Sequence, residues 1–317
     1  MLLEALAGRS LVFLGGKGGT GKTTIASSIA AGSALAGRRV LLVSTDPAHN
    51  LGHLFERPVG PSPVRLAAGL DAMELDPDAT VEGHLGRTRQ FLRRLMPERL
   101  RGAIDDHLNA SRHAPGMVEA ALLEAIAETV AEGSERYDLI VFDTAPSGHT
   151  ARLMELPETM AAWTEGLIAS RDRSDEFAKA AAIVGGNRAE GEGDERNRQI
   201  RHVLYRRRKR FADLRAALTD PDRTAFVIAL AAERLPVLET VELHAQLTRA
   251  GIAVPVLVVN KRAPAGEGAF LERLRARERP HLETLAEALP GPARIDIPLQ
   301  PEEITGLAAL EALAARI

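Results

Sequence analysis

At 317 residues, with 45% hydrophobic and 26% charged side chains, the chain has ordinary globular composition, enough for one large α/β domain with insertions or two modest domains. Its formal net charge of −3 supplies no global attraction to nucleic acid or to an anionic membrane. With no cysteine, it has no disulfide, thiolate zinc site or cysteine nucleophile, which fits a reducing compartment.

No secretory signal is expected, because Glu4 interrupts the start and the first apolar run, residues 11–14, leads straight into glycines. The longest later run, 253–259, contains Pro255 and falls far short of the ~20 residues a membrane span needs. The expectation is a cytoplasmic protein without a transmembrane segment, at most peripheral to the inner face of a membrane.

In chain order, a run at 11–14 (Leu-Val-Phe-Leu) precedes a glycine-rich segment and a helical stretch at 22–36. Further continuously apolar runs fall at 40–43, 139–142, 226–230 and 254–259, with another helical stretch at 239–250. The runs do not alternate with polar residues, so both faces are expected to be buried, as in a parallel sheet covered by helices. Strand following helix in this way predicts an α/β fold with a doubly wound, mostly parallel sheet.

Two regions break the alternation. From 85 to 108, Leu85, Leu92, Leu95, Met96, Leu100, Ile104 and Leu108 recur mostly at spacings of three to four, an amphipathic pattern that Pro97 divides into two helices. A polar, helical region runs from about 158 to 218 and contains a glycine-rich stretch at 185–194 that reads as a mobile loop. The organisation predicted is a single domain over 1–317 with helical insertions at about 80–118 and 158–218. The basic run at 206–210 (Arg-Arg-Arg-Lys-Arg) reads as a solvated face pairing with Glu190, Glu192 and Asp194, so nucleic acid is not an expected partner. The tail at 307–317 has no lysine-rich face and reads as a packing helix.

Residues 16–23 read Gly-Lys-Gly-Gly-Thr-Gly-Lys-Thr, satisfying the phosphate-binding pattern G-x-x-x-x-G-K-[ST] between a predicted strand and a predicted helix. In such a loop Gly16, Lys17, Gly18, Gly19, Thr20 and Gly21 turn backbone N–H groups toward phosphates at the positive end of the helix, where Thr24 also lies. Lys22 adds a point charge at the β- and γ-phosphates, and Thr23 offers a hard oxygen to Mg²⁺. ATP and Mg²⁺ are therefore the expected ligands. Asp46 follows the second strand and Asp143 ends the third, at the strand ends where open α/β sheets bind ligands. Asp143 is placed to hold Mg²⁺ through water, and Asp46 to orient the attacking water. Helix N-capping is the structural alternative for either aspartate.

The loop with its early lysine, Lys17, resembles the deviant Walker A ATPases, which include the Min and Par positioning proteins, the nitrogenase iron protein, and the arsenite-pump and tail-anchored-protein targeting ATPases. The stretches at 44–51 (Ser-Thr-Asp-Pro-Ala-His-Asn-Leu) and 143–157, with His49 and His149, closely resemble the switch sequences of the last two. Further similarities lie at 72–77, Pro115-Gly116 with Glu119, 232–240, 258–260 and 298–307, so the resemblance to that family covers nearly the whole chain in order. It implies a homodimer in which Lys17 reaches across to the partner's nucleotide, against the alternative of a surface lysine paired with a nearby carboxylate. It further implies an adenine pocket using Asn260 and a loop from Pro298, a nucleotide contact from Glu233, and helical insertions that face a client. Leu92, Leu95, Met96 and Leu100 are the candidates for that face; permanent packing inside the subdomain is the other reading.

Departures narrow the function. Eukaryotic targeting members carry a Cys-x-x-Cys zinc site and metalloid-pump members bind As(III) or Sb(III) through thiolates, so no zinc or metalloid site is expected here. The expectation is Mg-dependent hydrolysis of ATP that switches a dimer between open and closed forms on a protein client or membrane partner. The alternatives are the energising subunit of an arsenite or anion efflux pump, and a positioning ATPase of the Min or Par type.

Overall fold

In the computed structural model, residues 1–46, 50–95, 98, 101–144, 156, 160, 165 and 192–317 are described. The apolar runs become strands β1 (Leu11–Gly15), β2 (Val40–Ser44), β5 (Leu139–Asp143), β6 (Thr224–Ala231) and β7 (Val256–Arg262). Three more strands, β3 (Val64–Ala67), β4 (Leu70–Glu74) and β8 (Ala293–Pro298), complete a sheet ordered β3-β4-β2-β5-β1-β6-β7-β8 among the described residues. Every pairing is parallel except β3 with β4.

The three added strands lack the continuous apolar run for a physical reason. β3 and β8 are the two ends of the sheet; in β8 only Ile295 and Ile297 are buried. β4 is buried but spends two positions on polar work. Asp71 accepts from Arg65 and from the Tyr137 hydroxyl at 2.9 Å. Glu74, 5% exposed, accepts the Leu51 N–H at 2.9 Å at the start of helix α3 (Asn50–Leu54).

Two helical layers cover the sheet. Helices α1 (Leu2–Ala5) and α2 (Lys22–Leu35) share one apolar cluster with Val12, Leu14, Leu42 and Val141. The tail helix α10 (Gly306–Ala314) joins them, and packs so closely that a Cβ on Gly32 would lie 2.7 Å from the Ala314 Cβ. The other face receives Leu11, Phe13, Ile140, Phe142, Phe226 and Ile228, together with helices α6 (Met117–Gly133), α7 (Glu192–Thr219), α8 (Arg234–Arg249) and α9 (Ala269–Ala288). Alternation of inward direction along each buried strand divides the apolar side chains between the two faces. Phe13 stacks on Phe142 with ring centroids 4.6 Å apart, in the offset range that favours aromatic pairs. α8 begins at Arg234, five residues before the predicted stretch, and Pro236 is accommodated because a first-turn residue has no intrahelical acceptor for its nitrogen.

The region 85–108 supplies α4 (Pro77–Leu95) and α5 (Arg101–Ser111); Pro97, read as the break between them, lies outside the described residues. With α6 these helices enclose a separate small core of Val81, Leu85, Ile104, Leu108 and Ala121. Leu92 is half-buried against it, so this one of the four candidate client residues packs inside the subdomain. Met96 and Leu100 lie outside the described residues, as does the Leu95 side chain.

The second predicted insertion divides into two parts. Phe211, Leu214, Ala217 and Leu218 at the end of α7 are buried in the main sheet core, so these last turns belong to the covering layer. The expected loop at 185–194 lies outside the described residues as far as 191, and from Glu192 the chain is helical. The described partners of the basic run are Glu124 for Arg207, Glu165 for Arg208, Asp213 for Lys209 and Glu128 for Arg210. Glu124 and Glu128 stand on α6, so the run ties two helices of the covering layer together.

Candidate functional site

Parallel pairing brings the chemistry to one edge. Leu14 and Ser44 both register with Asp143, and Ala231 registers with Asn260. The chain leaving β1 therefore turns beside the ends of β2, β5, β6 and β7. It turns sharply at Gly16, whose φ of +136° and closeness to the Ala229 carbonyl oxygen leave no room for a Cβ. Gly21, at φ +86°, caps α2 in a left-handed conformation, and a Cβ there would overlap the Asn260 amide nitrogen. The first intrahelical donor is Ile25, to the Gly21 carbonyl at 3.0 Å. The N–H groups before it point out of the helix end, a ready anion site of positive potential.

Three side chains meet at that helix end. Thr23 donates from its hydroxyl to Asp143 Oδ2 at 2.6 Å. Asp143 is fully buried, and among the described residues its Oδ1 has no hydrogen-bond partner. Loss of hydration pushes its carboxyl up to about 6, reinforced by Asp46 and opposed by the Thr23 bond and the Lys22 charge. Lys22 is 6% exposed and donates to the Lys17 carbonyl at 3.3 Å; burial lowers its pKa, while Asp143 and Asp46 act the other way. Thr20 donates to the same carbonyl at 2.9 Å. Asp46 has its N–H on the Ser44 hydroxyl at 3.2 Å.

A cleft of about 500 Å³ runs from this corner along the sheet edge. Gly18, Gly19, Gly21, Lys22, Thr23, Thr24 and Asp46 line one end, and Asn260, Lys261, Pro298, Leu299 and Gln300 the other. Of the predicted residues, Glu233 stands apart: it is exposed at the N-cap of α8 and outside this lining. Lys17 also turns away, its ammonium on Glu239 Oε1 at 2.9 Å, within one chain. His49 and His149 lie outside the described residues. Sequence reasoning missed His53 and Lys261 in the lining. Lys261 was marked only by following Asn260 at a strand end, and His53 by no pattern at all.

The residues fit a magnesium nucleotide. A fully buried carboxylate with one oxygen unpartnered among the described residues, bonded to a threonine hydroxyl and close to a desolvated ammonium, is costly by itself, and a bound cation and anion would complete it. Thr23 and Asp143 are oxygen donors of the kind that suits Mg²⁺, and Lys22 with the start of α2 would face the phosphates of a bound nucleotide.

Fold and cradle together define the P-loop nucleoside triphosphatase fold. The chain belongs to the anion-transporting ATPase family, whose model matches residues 9–317. It is 30% identical over 311 residues to the arsenical pump-driving ATPase of Escherichia coli, covering 96% of this chain and 48% of that one. It is 28% identical over 300 residues to putative arsenical pump-driving ATPase 2 of Aquifex aeolicus, covering 94% and 96%. It is 29% identical over 309 residues to ATPase ASNA1 homolog 1 of Paramecium tetraurelia, covering 95% and 89%. The chain thus spans about half the length of the Escherichia coli relative. No helix among the described residues is long and apolar enough to cross a membrane.

The Asp143 carboxyl gives the site a pH signature. Its folded pKa lies above its ordinary 3.8, so between about pH 4 and 6 the folded state holds the extra proton and stability falls as pH rises. Asp143→Asn should remove that slope and, without Mg²⁺, be more stable than the wild type above pH 6 by on the order of 3 kcal/mol. Urea midpoints measured from pH 4 to 8 check this; parallel curves for the two proteins would show that Asp143 carries no such penalty.

Proposed function

We propose that this chain hydrolyses ATP to ADP and phosphate and uses the cycle to open and close a homodimer acting on a protein client or a membrane protein. The observation that carries the first half is the meeting of Lys22, Thr23 and Asp143 at the start of α2. Lys22 exchanges the Lys17 carbonyl for phosphate oxygens and places its charge where negative charge gathers. Mg²⁺, when bound, would neutralise charge on the β- and γ-phosphate oxygens. Thr23 and Asp143 hold their oxygens toward it. Asp46, lining the same cleft, accepts a hydrogen bond from the attacking water and aligns its oxygen with the γ-phosphorus. The new bond forms from water to phosphorus as the bond to the bridging oxygen breaks.

The dimer is supported by the surface beside the loop. On α8, Leu235 and Leu238 are 61% and 44% exposed, at helical spacing next to Glu239, which holds Lys17. An apolar patch around a half-exposed ion pair suits a second copy of the same surface. Exchange of Glu239 for a phosphate of the partner's nucleotide would then bring Lys17 into play, in the manner of an arginine finger. An output through the phosphate-sensing segments fits the fold, since the chain around Asp46 runs into α3, which Glu74 ties to β4 ahead of the α4–α6 subdomain. The names of the relatives favour a second output, energising an arsenite or anion pump. With no cysteine, that role would rest on docking to a membrane protein rather than on metalloid–thiolate binding.

Replacement of Lys22 by alanine should abolish Mg·ATP turnover in a protein that still folds, read by phosphate release and circular dichroism. Full ATPase activity in that variant would sink the proposal.

Lys17→Ala and Asp46→Asn subunits should each be inactive alone and regain part of the activity when mixed, because one hybrid site receives both groups. Adding Leu238→Glu to both should abolish the rescue by blocking the interface. Hybrid dimers that form without regaining turnover would rule out a cross-dimer Lys17.

A further inference from the structure

The base end of the cleft has a construction that the phosphate loop does not require. Lys261, next to Asn260, holds φ at +56°, a left-handed conformation uncommon for a non-glycine residue. The pairing of β7 with β8 shifts register between Val259 and Arg262, so residues 260 and 261 leave the regular ladder where they line the cleft. Strain of this kind persists only where the surroundings over-determine it. On the far side they do: the Arg262 side chain, 10% exposed, bonds Glu278 Oε2 at 2.9 Å and also Asp296. The second Glu278 oxygen accepts the Ala263 N–H at 3.0 Å, and Leu299 donates its N–H to the Arg262 carbonyl at 2.8 Å.

On the near side, two consecutive side chains reach the phosphate loop. Asn260 Nδ2 donates to the Thr20 carbonyl and Lys261 Nζ to the Gly19 carbonyl, each at 2.9 Å. The Lys261 N–H donates to Asn260 Oδ1 at 2.8 Å, which fixes the amide with its nitrogen toward the loop and leaves one N–H for a ligand acceptor. Although Glu302 and Glu303 line the same cleft, the Lys261 ammonium goes to a carbonyl, so its aliphatic stem is strung from the end of β7 to Gly19.

We infer that Lys261 is a base-contacting residue, its stem forming a wall of the slot that receives the purine of the nucleotide. Lysine stems bury readily along flat apolar surface while the charged end stays hydrated or hydrogen-bonded, and the ammonium is attracted to an aromatic face. Pro298 and Leu299, the latter 45% exposed, add apolar surface to that end of the cleft. The free Asn260 N–H suits a purine ring nitrogen. The left-handed backbone at 261 is what lets successive side chains share one side of the bulge. This deepens the proposed nucleotide site and rests on it.

The test separates base from phosphate by titrating wild type and Lys261→Ala with ADP and with tripolyphosphate, which carries no base. Lys261→Ala should bind ADP about five- to thirty-fold more weakly. Its tripolyphosphate affinity should fall far less, by about twofold, because the Lys261 ammonium meets the loop at the Gly19 carbonyl and not among the backbone N–H donors that face phosphate. Unchanged ADP affinity, or an equal loss for both probes, would overturn the inference; the second result makes Lys261 only a brace for the loop. A wild-type protein that binds neither probe overturns the nucleotide site and this inference together.

Discussion

Asp143 ends the central strand β5 with a carboxylate taken wholly out of water, one oxygen on the Thr23 hydroxyl and the other without a described hydrogen bond. Taking a charge out of water this far is expensive unless another charge or a proton compensates it. Here the compensating charge is that of Lys22, itself desolvated and one residue away from Thr23. The two sit on different elements that meet only because β1 and β5 pair in parallel with Leu14 opposite Asp143. The sheet order therefore does more than build a core: it forces opposite charges into a pocket that a phosphate and a metal would complete. Stability given up at Asp143 without ligand is what the ligand can restore.

The same edge extends to the other end of the cleft. Gly21 joins the two, since its left-handed φ starts α2 and its missing Cβ lets the Asn260 amide approach the Thr20 carbonyl. A side chain at 21 would disturb the helix cap and the Asn260 contact at once. The buried Arg262–Glu278 pair then holds β7 from behind. Parts of the cleft far apart in sequence are thus fixed by a few short, directional contacts laid on a rigid sheet.

Much of this could be read from the chain. The strands β1, β2, β5, β6 and β7 were legible because burial on both faces demands unbroken apolar runs, as in Val12, Phe13 and Leu14. The phosphate loop was legible because its glycines and lysine are required at fixed spacing. β3 and β8 were not, since strands at the sheet ends expose residues such as Val64 and Arg294, and β4 was hidden by the polar tasks of Asp71 and Glu74. The end of α7 read as insertion because a long charged stretch around 206–210 masks the buried spacing of Phe211, Leu214 and Leu218. Lys17 was recognisable by position, but its hold on Glu239, 222 residues later, is a tertiary fact that no local pattern contains. Lys261 belongs to the same class: an ordinary lysine in the sequence, given a role by a bulge.

The most direct measurement is a crystal structure of the Asp46→Asn protein with Mg·ATP. The triphosphate should lie along the backbone of residues 16–23, with Lys22 moved from the Lys17 carbonyl onto phosphate oxygen and the metal beside the Thr23 hydroxyl on the Asp143 side. A triphosphate bound elsewhere, or one in the cleft with Lys22 still on that carbonyl and no metal near Thr23, would contradict it.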